Sequence, residues 1–425
     1  MRLLTDWQQI EQQLQRRTAG APVEETVRTI ISRVRANGDA ELLALARQYD
    51  GADLENLQVT LQEITEAVRD VPDGLMKSLT AAKMRIQRFH DQQKEESWDF
   101  RPEPGVRLGQ LIRPVEAAGI YIPGGKAAYP STVLMNVLPA KIAGVERIVM
   151  VTPPDSEGRV HPAVLAAADL CGITEIYKVG GAQAIAALAY GTETIGPVEK
   201  ITGPGNAYVA CAKKLVQGDV GIDMIAGPSE VCIWADEQAD PAFIAADLLA
   251  QAEHDEQATA CCIVETEAFG QAVIREIGRQ LEVLDRKDIA GRAIAEHGWI
   301  AVLSAEDDAI RLINRLAPEH LEIMTAEPEK RLEDIRNAGA IFIGPYSPEA
   351  LGDYMAGPNH TLPTNGTAKF SSPLGVYDFT KRTSIIRYEE QALRSVADEI
   401  ITLARTEQLG GHAGSIAIRT KEAGL

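Results

Sequence analysis

The chain has 425 residues, 45% of them apolar and 24% charged, the composition of a folded soluble protein long enough for about two to four domains and too long for a small stapled scaffold. Its 61 acidic against 42 basic residues leave a formal charge of -19, which repels a phosphate backbone and an anionic membrane, so no nucleic acid and no membrane is expected as a partner. The opening MRLLTDWQQI has no apolar core behind its Arg, and no apolar run approaches the roughly 18 residues of a bilayer span. With five cysteines, an odd count without CxxC spacing, the reading is a cytoplasmic protein with reduced, buried thiols. Cys261 and Cys262 are adjacent in strand-like text and so face opposite ways, which argues against a shared metal there.

The first hundred residues read as helices. The clearest, after Pro72, carries Leu75, Leu79, Ala82, Ile86 and Phe89 at steps of four and three, which puts one face in a core. From Gly119 the text becomes short apolar runs, each ending in a glycine-rich turn and opening a helical stretch: GIYIPGG (119–125), RIVMVTPP (147–154), EIYKVGGAQ (175–183) and KITGPGNAY (200–208). Parallel strands need such crossovers, so this is a doubly wound α/β domain. A second series follows GPSE (227–230), with strands at VCIWAD, ACCIVET, GWIAVLS, LEIMTA and GAIFIG. From Pro373 the rhythm is lost, and a helix bearing Leu393, Val396, Ile400 and Leu403 ends at Gly410 and Gly411, read as a C-cap. The expected division is an N-terminal helical arm (1–20), a discontinuous main α/β domain (21–118 and 230–372), a second α/β domain (119–229) and a C-terminal appendage (373–425).

Glycine turns between strand and helix can hold a pyrophosphate on backbone N–H groups, but neither GPGNAY nor YIPGGKAAY is GxGxxG and no Walker sequence exists, so the ligand class stays open at this level. The histidines are more informative. Gln251 and His254, three apart in LLAQAEHDE, share a helix face and could offer an amide oxygen and an imidazole to one metal ion, although the same text suits a surface helix end. Glu319 and His320, at the mouth of a strand, could supply two proton-transfer groups or form a satisfied surface pair. Asp353 and His360 lie in LGDYMAGPNHTLPT, and His412 follows a double glycine. Together these make a set of the type that suits zinc, with Glu319 and His320 left for chemistry. His90, His161 and His297 sit on ordinary flanks and receive no role.

Eight blocks, GIYIPGG, GGAQAIAALAYG, TGPGNAYV, AGPSEV, QAEHD, APEHLE, GDYMAGPNHTLPT and EQLGGHAGS, closely resemble in order and spacing the histidinol dehydrogenase family, over nearly the whole chain. The resemblance implies two large Rossmann-like domains with parallel sheets, incomplete and aldehyde-dehydrogenase-like, with small helical appendages at each end; residues 119–229 would be the NAD-binding one. It implies oxidation of L-histidinol through L-histidinal to L-histidine with two NAD+, the last steps of histidine biosynthesis, by a homodimer with shared active sites and one Zn2+ per subunit. Gln251, His254 and Asp353 would be zinc ligands from one subunit and His412 a ligand from its partner, the ion in turn taking the substrate's imidazole and amino nitrogens. Ser229, Glu407, His360 and His320 match substrate contacts together with those ligands, and Tyr121, Gln183 and Asn206 match NAD contacts. His320 would take the alcohol proton and Glu319 would activate water toward the aldehyde. Cys232, where an aliphatic residue is usual, and Lys369, where arginine is common, depart from the family pattern without touching these residues. The rival readings are a related zinc- and NAD-dependent dehydrogenase of a sulfonated diol, which the text EQLGGHAGSIAIR disfavours, and a zinc hydrolase or a binding module.

Overall fold

Apolar strand runs separated by alanine-rich helical text have to cross over in order to pair in parallel, and here they do so twice. The computed structural model describes residues 1–14, 21–124 and 128–420; Gly125 of the first glycine turn, 15–20 of the arm and 421–425 of the appendage lie outside the described residues. In chain order, β1 (Arg2–Leu4) and α1 (Trp7–Gln13) precede α2 (Ala21–Leu45, broken at Gly38), α3 (Leu61–Asp70) and α4 (Asp73–His90), then β2 (Trp98–Phe100) and β3 (Val106–Pro114). The first βα series is β4 (Ala117–Tyr121), α5 (Pro130–Ala143), β5 (Arg147–Thr152), α6 (Pro162–Leu170), β6 (Ile176–Lys178), α7 (Gly181–Tyr190), β7 (Lys200–Thr202), α8 (Ala207–Val216) and β8 (Gly221–Ile222). The second is β9 (Glu230–Ala235), α9 (Pro241–Ala252), β10 (Thr259–Val264), α10 (Glu267–Leu281), α11 (Lys287–His297), β11 (Trp299–Val302), α12 (Glu306–Leu316), β12 (His320–Met324), β13 (Ala340–Ile343) and α13 (Glu349–Tyr354). β14 (Thr380–Tyr388), α14 (Glu390–Ser395), α15 (Ala397–Thr406) and α16 (Gly410–Thr420) end the chain.

The chain forms two compact units, and the larger, Met1–Gln93 with Val115–Phe379, holds both parallel sheets. One has the order β6-β5-β4-β7-β8, reversing direction between β4 and β7; the other has the order β1-β11-β10-β9-β12-β13, reversing between β9 and β12. Both faces of each sheet are covered. Ala118, Ile120 and Met150 enter one core with α3 to α6, while Ala117, Tyr121, Val149 and Val151 enter another with α2, α7 and α8. In the second sheet Val231, Ile233 and Cys262 face one core and Cys232, Trp234 and Cys261 the other, so the adjacent cysteines do point apart. All five cysteines are buried and free.

In packing terms α2, α3 and α4 share their cores with the five-stranded sheet, whereas the sequence division grouped 21–118 with 230–372. Residues Arg2–Leu4, inside the expected helical arm, pair in parallel with Trp299–Ala301 as an edge strand, a contact too short to leave a pattern in sequence.

The smaller unit joins Lys94–Pro114 to Thr380–Leu425. Its core is a three-stranded antiparallel sheet, β14-β3-β2, in which all nine residues of β14 pair with β3. Charges and alternation too weak to mark a face, in TKRTSIIRY, hid this strand from the sequence reading. The expected C-cap at Gly410 and Gly411 is corrected: those glycines open α16, and α15 is closed by Gln408 in the left-handed region (φ 62°). The amide of Leu409 reaches Ala404 O at 2.8 Å and that of Gln408 reaches Arg405 O at 3.0 Å, which is a Schellman closure using a non-glycine residue.

Where α9 crosses β12, Asp247 and Glu322 share a hydrogen bond between carboxyl groups. Burial pushes Glu322 well above the usual carboxylate range and Asp247 up to about 6, since two adjacent buried carboxyls cannot both ionise cheaply. A carboxyl whose folded pKa exceeds its unfolded value stabilises the fold while protonated, and that stability is lost as pH rises through the folded value. Asp247→Asn is therefore expected to gain about 2 kcal/mol over the parent at pH 8 and little at pH 4 in urea unfolding. An equal difference at both pH values would mean that ionisation of Asp247 is not what the fold resists.

Candidate active site

β12 is positioned by the end of α12. Ala317 takes the left-handed conformation (φ 52°), its amide closing on Ile313 O at 2.8 Å, and Pro318 stops the helix. A Cβ on Gly339 would lie 2.5 Å from Glu319 O, so only glycine lets β13 approach here. The parallel register then sets His320 beside Val231 and Ala340.

Glu319 and His320 bracket one residue of β9. The Glu230 amide donates to Glu319 Oε2 at 2.8 Å, and His320 Nδ1 lies 3.1 Å from Glu230 O. A carbonyl only accepts, so the shared proton sits on Nδ1 and Nε2 keeps its lone pair. Burial drives the His320 imidazole down to about 4, leaving it neutral near pH 7. Burial, with Glu230 and Asp353 nearby, pushes the Glu319 carboxyl well above its usual range. A neutral imidazole with a free lone pair beside a strengthened carboxyl base can do proton chemistry.

Two helices bring the remaining groups to this amino-terminal edge of the six-stranded sheet. α9 starts at Asp240, whose side chain accepts from the Ala242 amide at 2.8 Å, with Pro241 in its first turn, and it runs back along the sheet to end at Gln251 and His254. Its C-terminal carbonyls favour a cation. α13 places Glu349 and Asp353 four apart on one face. Turned with its nitrogen toward α13, the buried Gln251 amide donates to both Glu349 oxygens at 3.1 Å. His320 Nδ1 is 3.8 Å from Glu319 Oε2 and 3.8 Å from Glu349 Oε1. Burial raises the Glu349 carboxyl well above its usual range, with Asp353 and Glu319 adding to it.

His360 is held by a pinned loop. Asn359 donates to Met135 O at 2.6 Å and accepts the Thr361 amide at 2.8 Å. His360 Nδ1 then sits 3.1 Å from Asp353 O and Nε2 lies 3.4 Å from Thr132 Oγ1 of α5, while burial lowers its pKa. His254, Glu349 and Asp353 each offer one ligand atom, all within 4.8 Å of one another, a nitrogen and oxygen donor set that fits a divalent ion of the zinc type.

Thus Gln251, His254, Glu319, His320, Asp353 and His360, singled out in sequence, lie at one edge of one sheet, with Ser229 immediately before β9, its carbonyl accepting from the Thr259 amide at 3.0 Å. Glu349 was missed. Its spacing of four from Asp353 was the available signal, but in SPEALGDY it reads as ordinary helix-surface charge. Glu407 and His412 are exposed residues of the smaller unit, at the end of α15 and in the first turn of α16. Of the histidines given no role, His90 is fully buried against Ile86 O at 2.8 Å and His161 caps α6, its Nδ1 accepting the Ala163 amide at 3.2 Å.

Tyr121, Gln183 and Asn206 lie at the opposite kind of edge, the carboxyl ends of β4, β6 and β7, where doubly wound sheets bind ligands. Tyr121 Oη accepts the Gly181 amide at 3.1 Å, and Gln183 folds back over Gly181, whose φ is 63°. Asn206 caps α8, taking the Tyr208 and Val209 amides at 3.0 and 3.2 Å.

The histidinol dehydrogenase family model matches residues 13–420. A histidinol dehydrogenase of Oceanobacillus iheyensis is 51% identical over 416 residues, covering 98% of this chain and 97% of that protein, and one of Bacillus subtilis is 51% identical over 409 residues, covering 96% of each. The crystal structure of histidinol dehydrogenase from Elizabethkingia anophelis superposes with a TM-score of 0.94 at 38% identity, covering 99% of this chain and 98% of that one. The chain belongs to the histidinol dehydrogenase family. It is accordingly an enzyme, an NAD-dependent oxidoreductase.

Within this histidinol dehydrogenase fold the turn after β7 is fixed from beneath. Lys213 of α8 donates to Gly203 O at 2.9 Å and pairs with Asp223, which accepts the Gly203 amide at 2.9 Å; both side chains are buried. Gly203 has φ 116°, and a Cβ there would strike Tyr121 O, so the turn cannot be built with another residue. Lys213→Met is expected to cost about 3–5 kcal/mol because it strands a buried carboxylate, and adding Asp223→Asn should recover much of it. Urea unfolding of the two variants checks this, and equal losses would show that the pair is not stabilised by mutual neutralisation.

Proposed function

We propose that this chain oxidises L-histidinol through L-histidinal to L-histidine with two NAD+, the last steps of histidine biosynthesis, as a cytoplasmic homodimer with one Zn2+ per subunit. The single observation that carries this reading is the gathering of Gln251, His254, Glu319, His320, Glu349, Asp353 and His360 at one sheet edge, in a chain 51% identical to histidinol dehydrogenases.

Gln251, His254 and Asp353 would hold the ion together with His412 of a partner subunit, and Glu349 would orient the Gln251 amide. When bound, zinc anchors the substrate's imidazole and amino nitrogens and offsets the carboxylates around it. Everything else is done by the chain's own residues. In the first oxidation His320 Nε2 takes the hydroxyl proton while the carbinol carbon gives up a hydride, which the nicotinamide of the first NAD+ accepts; the product is the aldehyde. Glu319 then removes a proton from water as its oxygen adds to the aldehyde carbon, and protonated His320 returns its proton to the carbonyl oxygen, giving the hydrate. His320, having shed its proton, takes one from the hydrate as a second hydride leaves to the second NAD+, and the carboxylic acid results. Ser229, His360 and Glu407 would position the substrate, and Tyr121, Gln183 and Asn206 would hold the dinucleotide.

The testing experiment is NADH formation at 340 nm with histidinol and with histidinal, with and without a chelator. Both substrates should give NADH, and chelation should abolish turnover while circular dichroism changes little, because the proposed ligands lie on separately cored elements. No NADH from either substrate would sink the reading, and unfolding in step with chelation would make the ion structural.

The shared site makes a second expectation. His254→Ala and His412→Ala should each be inactive, and their mixture should regain activity, since a mixed dimer has one intact site and one doubly damaged site. Random exchange makes about half the dimers mixed, so recovery should approach about a quarter of the parent's activity. Complete exchange, checked by mass, without recovery would place His412 in its own subunit's site.

A further inference from the structure

One carboxylate near Tyr121 takes no part in the proposed chemistry. Among the described residues Asp50 Oδ2 is buried and accepts no hydrogen bond, and burial drives its pKa up to about 6. Its place in the fold follows from its neighbours. Asp50 ends the irregular turn 46–50 after α2 and is followed by Gly51 in the left-handed conformation, φ 69°. The segment after it lies on the loop that leaves β5: a Cβ on Gly51 would sit 3.9 Å from Ser156 Cβ, and one on Gly158 would sit 2.8 Å from Leu54 Cδ2. Residues 57–59 then pair with the edge strand β6, Lys178 N reaching Leu57 O at 2.7 Å and Val59 N reaching Ile176 O at 2.9 Å. On its other side Asp50 is close enough to Tyr121 to help raise that phenol, already lifted by burial to about 12. Asp50 therefore stands between the ends of β4 and β5, at the carboxyl edge of the five-stranded sheet.

In doubly wound sheets that bind a dinucleotide, a carboxylate beyond the second strand of the series accepts the two hydroxyls of the adenosine ribose. The acid that β5 itself supplies cannot do this. Asp155 Oδ1 is occupied by the amides of Glu157 and Arg159, at 2.9 and 2.8 Å, and its Oδ2 is paired with Arg159. We propose that Asp50, contributed by the chain that precedes the sheet, accepts the vicinal hydroxyls of the adenosine ribose and makes the enzyme select NAD+ over its 2′-phosphorylated form. A diol gives Oδ2 the donors it lacks, whereas a 2′-phosphate would set a dianion against a buried carboxylate.

This inference rests on the reading that Tyr121, Gln183 and Asn206 hold the dinucleotide. The experiment measures kcat and KM for NAD+ and NADP+ in the full-length parent, in Asp50→Asn and in Asp50→Ser, with NADH affinity by fluorescence titration and thermal unfolding of each. Asp50→Asn should raise KM for NAD+ about tenfold with the loss falling on KM rather than kcat, and the NAD+ to NADP+ ratio of kcat/KM should fall by about tenfold or more. A folded Asp50→Asn or Asp50→Ser variant with the parent's ratio would overturn the assignment while leaving the dinucleotide site standing. If instead Asn206→Ala leaves NADH affinity unchanged, the reading beneath it falls and takes this inference with it.

Discussion

Glu230 uses both of its backbone polar groups on β12, its amide given to Glu319 and its carbonyl taking the proton of His320. The site depends on that bracket. It fixes the imidazole's tautomer and aims the carboxyl, and it exists only because β9 and β12 are neighbours at the point where the strand order reverses. Side chains alternate along a strand, so a slip of one residue in the His320–Val231 register would send His320 to the opposite face and break both hydrogen bonds. Leu321 and Ile323, buried on one face, and the closely packed Gly339 oppose that slip. Core packing and catalytic geometry are therefore one constraint here.

The two parallel sheets share a five-strand order, to which the second adds β1, and gather their polar groups at opposite kinds of edge. The five-stranded sheet has at its carboxyl edge the glycine turns and the N-terminal ends of α7 and α8, whose dipoles favour an anion. The six-stranded sheet offers its amino-terminal edge, where the C-terminal end of α9 and the carboxylates of α13 suit a cation. The loop carrying His360 ties them, through Thr132 and Met135 of α5. Helix dipoles of opposite sense thus face the two edges, one favouring an anion and the other a cation.

What was legible in sequence was whatever repeats. Strand, glycine turn and helix recur four times and five further strand runs follow, so those nine strands of the parallel sheets could be placed from text alone, while the two-residue β8 could not. The edge strand β1 has three residues and the exposed β14 has little alternation, so neither carries a period. Glycine at 410 and 411 imitated a cap because residue type reports permission, not use; Gln408 took the left-handed position instead. Glu319 and His320 were legible as a candidate proton-transfer pair, but the buried, tautomer-fixed state of His320 needed the register. Glu349 became visible only when α13 was folded against Gln251, since nothing in the order of residues says which of many glutamates is buried.

Burial moves the site's groups toward neutrality, with Glu319 and Glu349 up and His320 and His360 down. Among the described residues the ionic partners of Glu319, Glu349 and Asp353 are the histidines His320 and His360, which do not carry a matching positive charge in that state. Glu319 and Glu349 can avoid unpaired buried charge by keeping protons. A divalent ion offers Glu349 the alternative route, since a carboxylate is the protonation state it requires and its binding would displace the proton of a raised carboxyl. The same fold that keeps His320 neutral gathers His254, Glu349 and Asp353 within reach of one cation. Proton chemistry and cation affinity are then two consequences of one buried, acid-rich edge.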